Sequence, residues 1–517
     1  MQPDTYISEP RAQRWVLFLT ILASSVAFVD MTIVNLALPV MQAEMTASFQ
    51  AMQWVVEAYV LMLCALMLTG GGLADTFGRR RILLLGASIF LVASVAAALA
   101  ATAEWLIAAR ALQGVGGALL APASLALVSS SFAPAERGKA LGLWAAFSGI
   151  ATAFAPPLGG LLIEWSSWRA VFYINVPILA VVLLFAPLKL KESSEQRAPG
   201  ARTDWLGAVL AVVTLLPLTF ALIHAGAYGM SDGWVWLSAG LSLGAGTGFI
   251  YWERRVSTPM LPLAIFRSRA FSGLNVMTIV IFTAIGAVMF FLPMVLMQAF
   301  HYSPAEAGLA LVPSMVAMFV LAPWSGKFAD QFGPRLPITI GPLISATSFV
   351  WFAHADMSQY VAGALFPILV MGAGFGTWVT PLTSAVMTAA GERNAGIASG
   401  INNAAARLAQ LLAIAVLGLV ASISFNAALD QEFVALALPA EWIAAVADDR
   451  VRLGGMVAPE AMSPAMQTQF ANAVAAAFRQ AFGTVTTVAA CLCVLAGAFG
   501  LWSVRHLRGQ AATDTEA

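Results

Sequence analysis

Apolar runs of 18 residues or more recur along nearly the whole of this chain. Such runs cross a bilayer as helices, because inside hydrocarbon every backbone N–H and C=O must be bonded within the segment. A soluble enzyme with buried helices would show runs of about 10–14 residues. The composition agrees: 60% of the 517 residues are hydrophobic, 10% are charged and the mean hydropathy is +0.83. A soluble domain carries about 25% charged residues. The sequence therefore predicts an all-α polytopic membrane protein. The 26 basic and 26 acidic residues balance, which argues against nucleic acid as a partner. Cys64, Cys491 and Cys493 fall in apolar runs with no metal-ligand spacing.

Fourteen spans are expected, over roughly 15–37, 51–70, 82–101, 105–128, 140–162, 169–188, 205–225, 233–252, 271–297, 307–325, 337–354, 359–385, 397–425 and 481–503. Arg11 and Arg14 precede the first run, and no small-residue cleavage site follows, so it reads as a retained span rather than a signal peptide. With the N-terminus inside, 20 of the 26 Lys and Arg residues fall in inner segments. Basic residues concentrate on the cytoplasmic side, so both termini are expected there. The long segment 426–480 then lies outside, with a structural cap favoured over substrate capture.

Two short segments echo each other. GGLADTFGRRR (Gly71–Arg81) returns as SGKFADQFGPR (Ser325–Arg335), with Asp75 and Asp330 separated by 255 positions. AERGKA with Arg137 and GERNAG with Arg393 repeat at nearly the same offset. A shift of eight spans fits a six-helix unit plus an inserted pair, which suits alternating access around a midplane site. The expected divisions are 1–192, 193–266 and 267–517. In the first loop the arginines anchor the inner face, and Gly71, Gly72 and Gly78 permit a tight turn. Asp75 is expected to bond backbone N–H groups at the start of a neighbouring helix, acting with Arg79 and Arg80 as a gate. A purely topological anchor is the plainer alternative. In the echo, Pro334 replaces Arg79, so Asp330 and Arg335 should form the weaker clasp.

Ionisable side chains inside a membrane are costly and mark function by default. Asp30 stands mid-way along span 1, Glu57 early in span 2, Arg110 in span 4 and Arg407 in span 13. A carboxylate in a low dielectric favours its protonated form, which is the chemistry of a proton-coupled antiporter, and it also attracts cationic substrates. Asp30 is the favoured group. Glu57 lies nearer a helix end and has snorkelling towards water as an equal alternative. Arg110 fits tuning of a carboxylate, charge relay or a static pair. Span 5 holds GIATAFAPPLGG, where Gly149, Gly159 and Gly160 allow close crossing and Pro156 interrupts the helical ladder. Asn35, Asn402 and Asn403 suit either substrate contact or helix glue. Phe290, Phe291, Met294 and Trp378 are candidates for a hydrophobic pocket. The four histidines are scattered, and no nucleotide-binding loop or metal pattern occurs, which argues against an enzyme, an ATP-driven pump or a metal centre.

DMTIVNLALP (Asp30–Pro39), the Gly71–Arg80 loop, RALQGVGG (Arg110–Gly117) and the Gly149–Gly160 stretch, in that order, resemble the major facilitator superfamily. More closely they resemble fourteen-span drug:proton antiporters of the EmrB/QacA type, over residues 12 to 505. The resemblance implies two six-helix bundles plus two extra helices, with no cofactor. It also implies export of lipophilic, often cationic, drugs driven by proton entry; a dedicated exporter of one metabolite, antibiotic or lipid-like compound is the alternative. Asp30 then maps to coupling or cation recognition, Asp75, Arg79 and Arg80 to the gating loop, and Arg110 to the arginine that assists proton movement. The implied setting is a bacterial inner membrane. The implied partners are small molecules, protons and lipids, with a monomer as the working unit and a periplasmic adaptor left open. Two departures stand out. Ala155 precedes Pro156 where the motif has glycine, and Glu57 adds an acid where many relatives have a small polar residue.

Overall fold

The computed structural model describes residues 9–193, 204–257, 259–391 and 395–504. Among them every regular element is helical. The chain runs α1 Pro10–Glu44, α2 Phe49–Phe77, α3 Arg79–Ala98, α4 Ala103–Ser131, α5 Pro134–Trp165, α6 Ala170–Tyr173, α7 Asn175–Lys189, α8 Trp205–Tyr228 and α9 Gly233–Glu253. It continues α10 Arg269–Gln298, α11 Pro304–Ala310, α12 Val312–Phe332, α13 Arg335–His354, α14 Leu365–Ala390, α15 Ala395–Ala435, α16 Ala440–Ala445 and α17 Pro464–Val504.

Thirteen helices among the described residues are long and apolar enough to span a membrane. The remaining expected span, α9, is 21 residues long but lies outside that set. Its five glycines and three tryptophans dilute its hydropathy. Many large apolar side chains lie on outer surfaces, including Leu184, Leu188, Leu241 and Leu243. A soluble surface would not carry them in such number, whereas lipid receives them at no cost.

The helix starts follow local chemistry. Thr102 caps α4 by accepting from the Trp105 N–H at 3.3 Å. Ser303 and Glu306 form a reciprocal capping box on α11, whose first residue is Pro304. Several elements extend beyond the expected limits. α2 continues through Gly71 to Phe77, so the supposed loop shrinks to little more than Gly78. α15 and α17 each reach 41 residues, which leaves only 436–463 of the expected 426–480 segment outside the long helices. That remainder holds α16 and a 3-10 turn over Asp448–Gly455.

The chain forms two compact units. The first comprises 1–41, 54–218 and 238–260; the second comprises 42–53, 219–237 and 261–517. In the first, α3 packs along α4 and α7. α8 and α9 are tied together there, Ser242 Oγ donating to Thr214 O at 2.8 Å and Trp252 Nε1 to Asp204 Oδ1 at 2.7 Å. In the second, α17 packs on α10, α13 and α15, and α14 on α12 and α13. Phe49 is stacked on Phe291 there, with Phe290 edge-on.

Candidate functional site: a buried charge network

Four helices of the first unit bring a polar cluster together in an apolar interior. Asp30 comes from α1, Ser94 from α3, Arg110 and Gln113 from α4, and Asn175 from the start of α7. None is more than 1% exposed. Arg110 Nη1 is ion-paired with Asp30 Oδ2 and donates to Gln113 Oε1 at 2.8 Å. Asp30 Oδ1 accepts from Asn175 Nδ2 at 3.2 Å and from Gln113 Nε2 at 3.4 Å. Ser94 Oγ accepts from both amides, at 2.9 and 3.3 Å. Arg110 Nε donates to Val55 O of α2 at 3.0 Å, and the guanidinium lies 4.4 Å from the Tyr59 ring centroid. The Tyr59 hydroxyl donates to Ala27 O at 2.8 Å, which ties α2 to α1 one turn before Asp30. A buried pair stands only with good geometry and further hydrogen bonds, and this one has both.

Glycines make room for it. A Cβ on Gly114 would lie 2.4 Å from Tyr59 O, and one on Gly116 would lie 2.8 Å from Phe90 N. α4 therefore fits between α2 and α3 only because these positions carry no side chain, the usual role of small residues between membrane helices.

Glu57 is also fully buried, with 0% exposure, so it does not snorkel to water. Among the described residues neither carboxyl oxygen has a hydrogen-bond partner. At about 100° per residue Glu57 lies about 200° around α2 from Val55. It therefore points away from the side that meets α4, and the network does not include it.

The Gly71–Arg81 segment joins the end of α2 to the start of α3. Asp75 Oδ1 accepts from Arg79 Nη2 at 2.8 Å and from Nε at 3.0 Å. Among the described residues Asp75 thus takes a side-chain guanidinium, not the expected backbone N–H groups of a helix start. Glu192 takes those instead, accepting from the N–H of Arg80 at 3.0 Å and of Arg81 at 3.2 Å. Arg80 Nη1 in turn donates to Leu190 O at 3.0 Å beyond the C-terminus of α7. A carboxylate at one helix start and a cation at another helix end both complement the local dipoles. Gly78 has φ +105°, and a Cβ there would lie 2.6 Å from a Glu192 carboxylate oxygen. The echo keeps the backbone, with Gly333 at φ +88°, but among the described residues Asp330 and Arg335 form no ion pair. Arg393 lies outside the described residues.

The Major Facilitator Superfamily profile matches residues 20–414. The chain belongs to this superfamily of transporters. It is 33% identical over 468 residues to the multidrug resistance protein Stp of Mycobacterium tuberculosis, covering 86% of this chain and 84% of that one. The tetracenomycin C resistance and export protein of Streptomyces glaucescens is 32% identical, with 92% and 88% covered. The multidrug efflux pump LfrA of Mycolicibacterium smegmatis is 31% identical, with 96% and 97% covered. The fold resembles a bacterial homologue of the human lysosomal transporter Spinster, at a TM-score of 0.68 and 16% identity, covering 96% and 99% of the two chains.

The other expected site residues of this superfamily member are dispersed. A Cβ on Gly159 would lie 2.4 Å from Ile33 Cγ1, so the span 5 motif brings α5 against α1; Gly149 faces open space. Pro156 and Gly160 are buried within an unbroken α5. Gly71 makes only ordinary contact with Pro122, whereas Gly70 is the tight position, its Cβ site 2.2 Å from Ala118 O. Asn35 is half-buried, its Oδ1 without a hydrogen bond. Asn402 Nδ2 donates to Thr278 Oγ1 at 2.8 Å, which makes it glue between α15 and α10. Asn403 is exposed and bonds its own helix at Ser399 O. Arg407 is half-buried and donates to Gln410 at 3.1 Å. Trp378 is fully buried between Phe282 and Phe375, and Phe290, Phe291 and Met294 are equally enclosed, so these four are packing residues and line no open pocket here. A separate cavity of about 530 Å³ lies in the second unit, lined in part by Phe300, Tyr302, Glu306 and Tyr360.

The motifs of the sequence do not single out Gln113, Ser94, Asn175 or Glu192 as functional. The first three carried a signal, a polar side chain within an apolar run. Glu192 carried none, since it follows a span among other charged residues.

Proposed function

We propose that this transporter exports lipophilic, often cationic, compounds from the cytoplasm in exchange for entering protons. On this reading residues 1–192 and 267–517 form the alternating halves, 193–266 is an inserted pair, and both termini face the cytoplasm of a bacterium's inner membrane. The observation that carries it is the fully buried Asp30–Arg110 pair with its amide and hydroxyl partners. A charge pair at membrane depth marks a functional centre, since apolar packing would hold the helices at no desolvation cost. Relatives named for multidrug resistance and efflux support the broad substrate range. Relatives named for tetracenomycin C or methylenomycin A resistance support a second reading, a dedicated exporter of a single antibiotic.

The test is reconstitution into liposomes with an internal pH indicator and a panel of lipophilic cations and neutral drugs. Substrate-dependent proton movement that Asp30→Asn abolishes supports antiport through this network. Response to a single compound across the panel favours the dedicated exporter. Proton movement unaffected by Asp30→Asn sinks the assignment to this pair.

A further inference from the structure

The two mid-helix carboxyl groups of the first unit differ in one respect that matters for proton transport. Asp30 is surrounded by donors: the Arg110 guanidinium and the amides of Gln113 and Asn175. Glu57, equally buried, receives none at either oxygen. A buried carboxylate without donors or a counter-charge is far costlier than the neutral acid. The uncharged acid would meet no such cost at Glu57. Asp30 instead serves as the counter-ion of Arg110, and a buried guanidinium stripped of its partner is strongly unfavourable.

We propose that Glu57 carries the exchanged proton, while Asp30 stays charged beside Arg110 and holds α2 in register. This rests on the antiport reading above. The buried charged pair of the first unit, Asp30 on α1 and Arg110 on α4, makes no hydrogen bond to Glu57. α2 itself also carries Tyr59, whose hydroxyl donates to Ala27 O, the thiol of Cys64, and Asp75 some five turns away. The link between the two centres is α2, which presents Glu57 on one side and gives the Val55 carbonyl to Arg110 on the other. A movement of α2 that brings water to Glu57 also changes the grip of Arg110. The proton balance is simple. On exposure to the inner solution the neutral acid releases one proton and becomes a carboxylate, which the charge of a bound cation can balance. On exposure to the outer solution it releases the cation and takes up one proton, and the neutral group is enclosed again. One proton enters for each cation that leaves.

The experiment uses the full chain in liposomes with tetraphenylphosphonium as probe, in wild type, Glu57→Gln, Glu57→Asp and Asp30→Asn. Two fluxes are read: uptake driven by an imposed pH gradient, and exchange of labelled for unlabelled probe with no gradient. Glu57→Gln should lose driven uptake and probe-dependent proton movement, keep measurable exchange, and lose the pH dependence of that exchange. Glu57→Asp should recover driven uptake in part. Asp30→Asn should lose driven uptake and exchange together, because Arg110 loses its counter-ion. Driven uptake at the wild-type level in Glu57→Gln overturns the assignment to Glu57 and leaves antiport standing. Loss of exchange together with driven uptake in Glu57→Gln also overturns it, since a structural or substrate-holding role would produce that pattern. Wild-type exchange with no proton movement refutes the antiport reading, and this assignment with it.

Discussion

Gly78 and Gly333 hold the same place in the two echoing segments, and replacing each by alanine separates two contributions that sequence alone merges. Both have backbone angles closed to L-residues, φ +105° and +88°. Alanine at either should cost about 1–3 kcal/mol in backbone strain. Around Gly333 nothing lies within 4 Å of an added Cβ, so strain is the whole effect there. At Gly78 the added carbon would sit 2.6–3.1 Å from the Glu192 carboxylate and push it off the start of α3. That removes the acceptor of the Arg80 and Arg81 N–H groups, and losing such a cap costs about 1 kcal/mol. The accompanying Glu192 ion pairs, at 3.6 and 3.8 Å, are partly exposed and add little. Gly78→Ala should thus destabilise more than Gly333→Ala by about 1 kcal/mol. Purified proteins in detergent, compared by the fraction that stays folded after graded heating, measure this. A double-mutant cycle sharpens it: with Glu192→Ala already in place, the excess penalty at Gly78 should vanish. Equal penalties at the two glycines, or an excess that survives the loss of Glu192, would refute the reasoning.

Arg110→Lys should abolish proton-coupled transport while the protein remains folded and monodisperse on size exclusion. One ammonium cannot serve Asp30, Gln113 and the Val55 carbonyl in the fork geometry they share. Asn402→Ala should lower thermal stability by about 1 kcal/mol through the lost Thr278 bond, while Asn403→Ala should leave it unchanged. Outside the spans, the Trp234 N–H holds the Asp232 carboxyl below its usual range, with His224 contributing less. A depressed folded-state value means that this contribution is present above the unfolded carboxylate range and is lost as pH falls through the folded one. Asp232→Asn should flatten that acid limb in a pH series of heat-stability measurements.

The spans were legible because their signal is local: a run of apolar residues specifies a membrane helix whatever surrounds it. The echo was legible too, since Gly78 and Gly333 share both an offset of 255 and a backbone conformation. Element ends were not. α2 runs on through Gly70, Gly71 and Gly72, residues that read as a turn, because α4 packs so closely at Gly70 that only glycine fits. Aromatic type cannot distinguish a wall from a core: the burial of the pocket candidate Trp378 depends on Phe282 and Phe375, which come from two helices. The Gly-rich and Trp-rich α9 shows the converse limit, a helix of spanning length whose composition falls short.

The two carboxyl groups show why a rule that marks buried charge as functional finds a site but does not assign roles within it. By that rule Asp30 and Glu57 are equivalent, each an acid in an apolar run. Their difference comes from donors. Arg110, Gln113 and Asn175 lie 80 to 145 positions beyond Asp30, and they converge on it because glycines draw α4 into place and α7 begins beside α3. Glu57 lies two residues from the carbonyl that holds Arg110, yet the helical turn carries it to the opposite side, beyond reach of every donor that Asp30 enjoys. On the assignment proposed above, one helix carries a fixed charge contact on one side and the proton-carrying acid on the other. A shift of that helix alters both at once, which is the minimum that coupling requires.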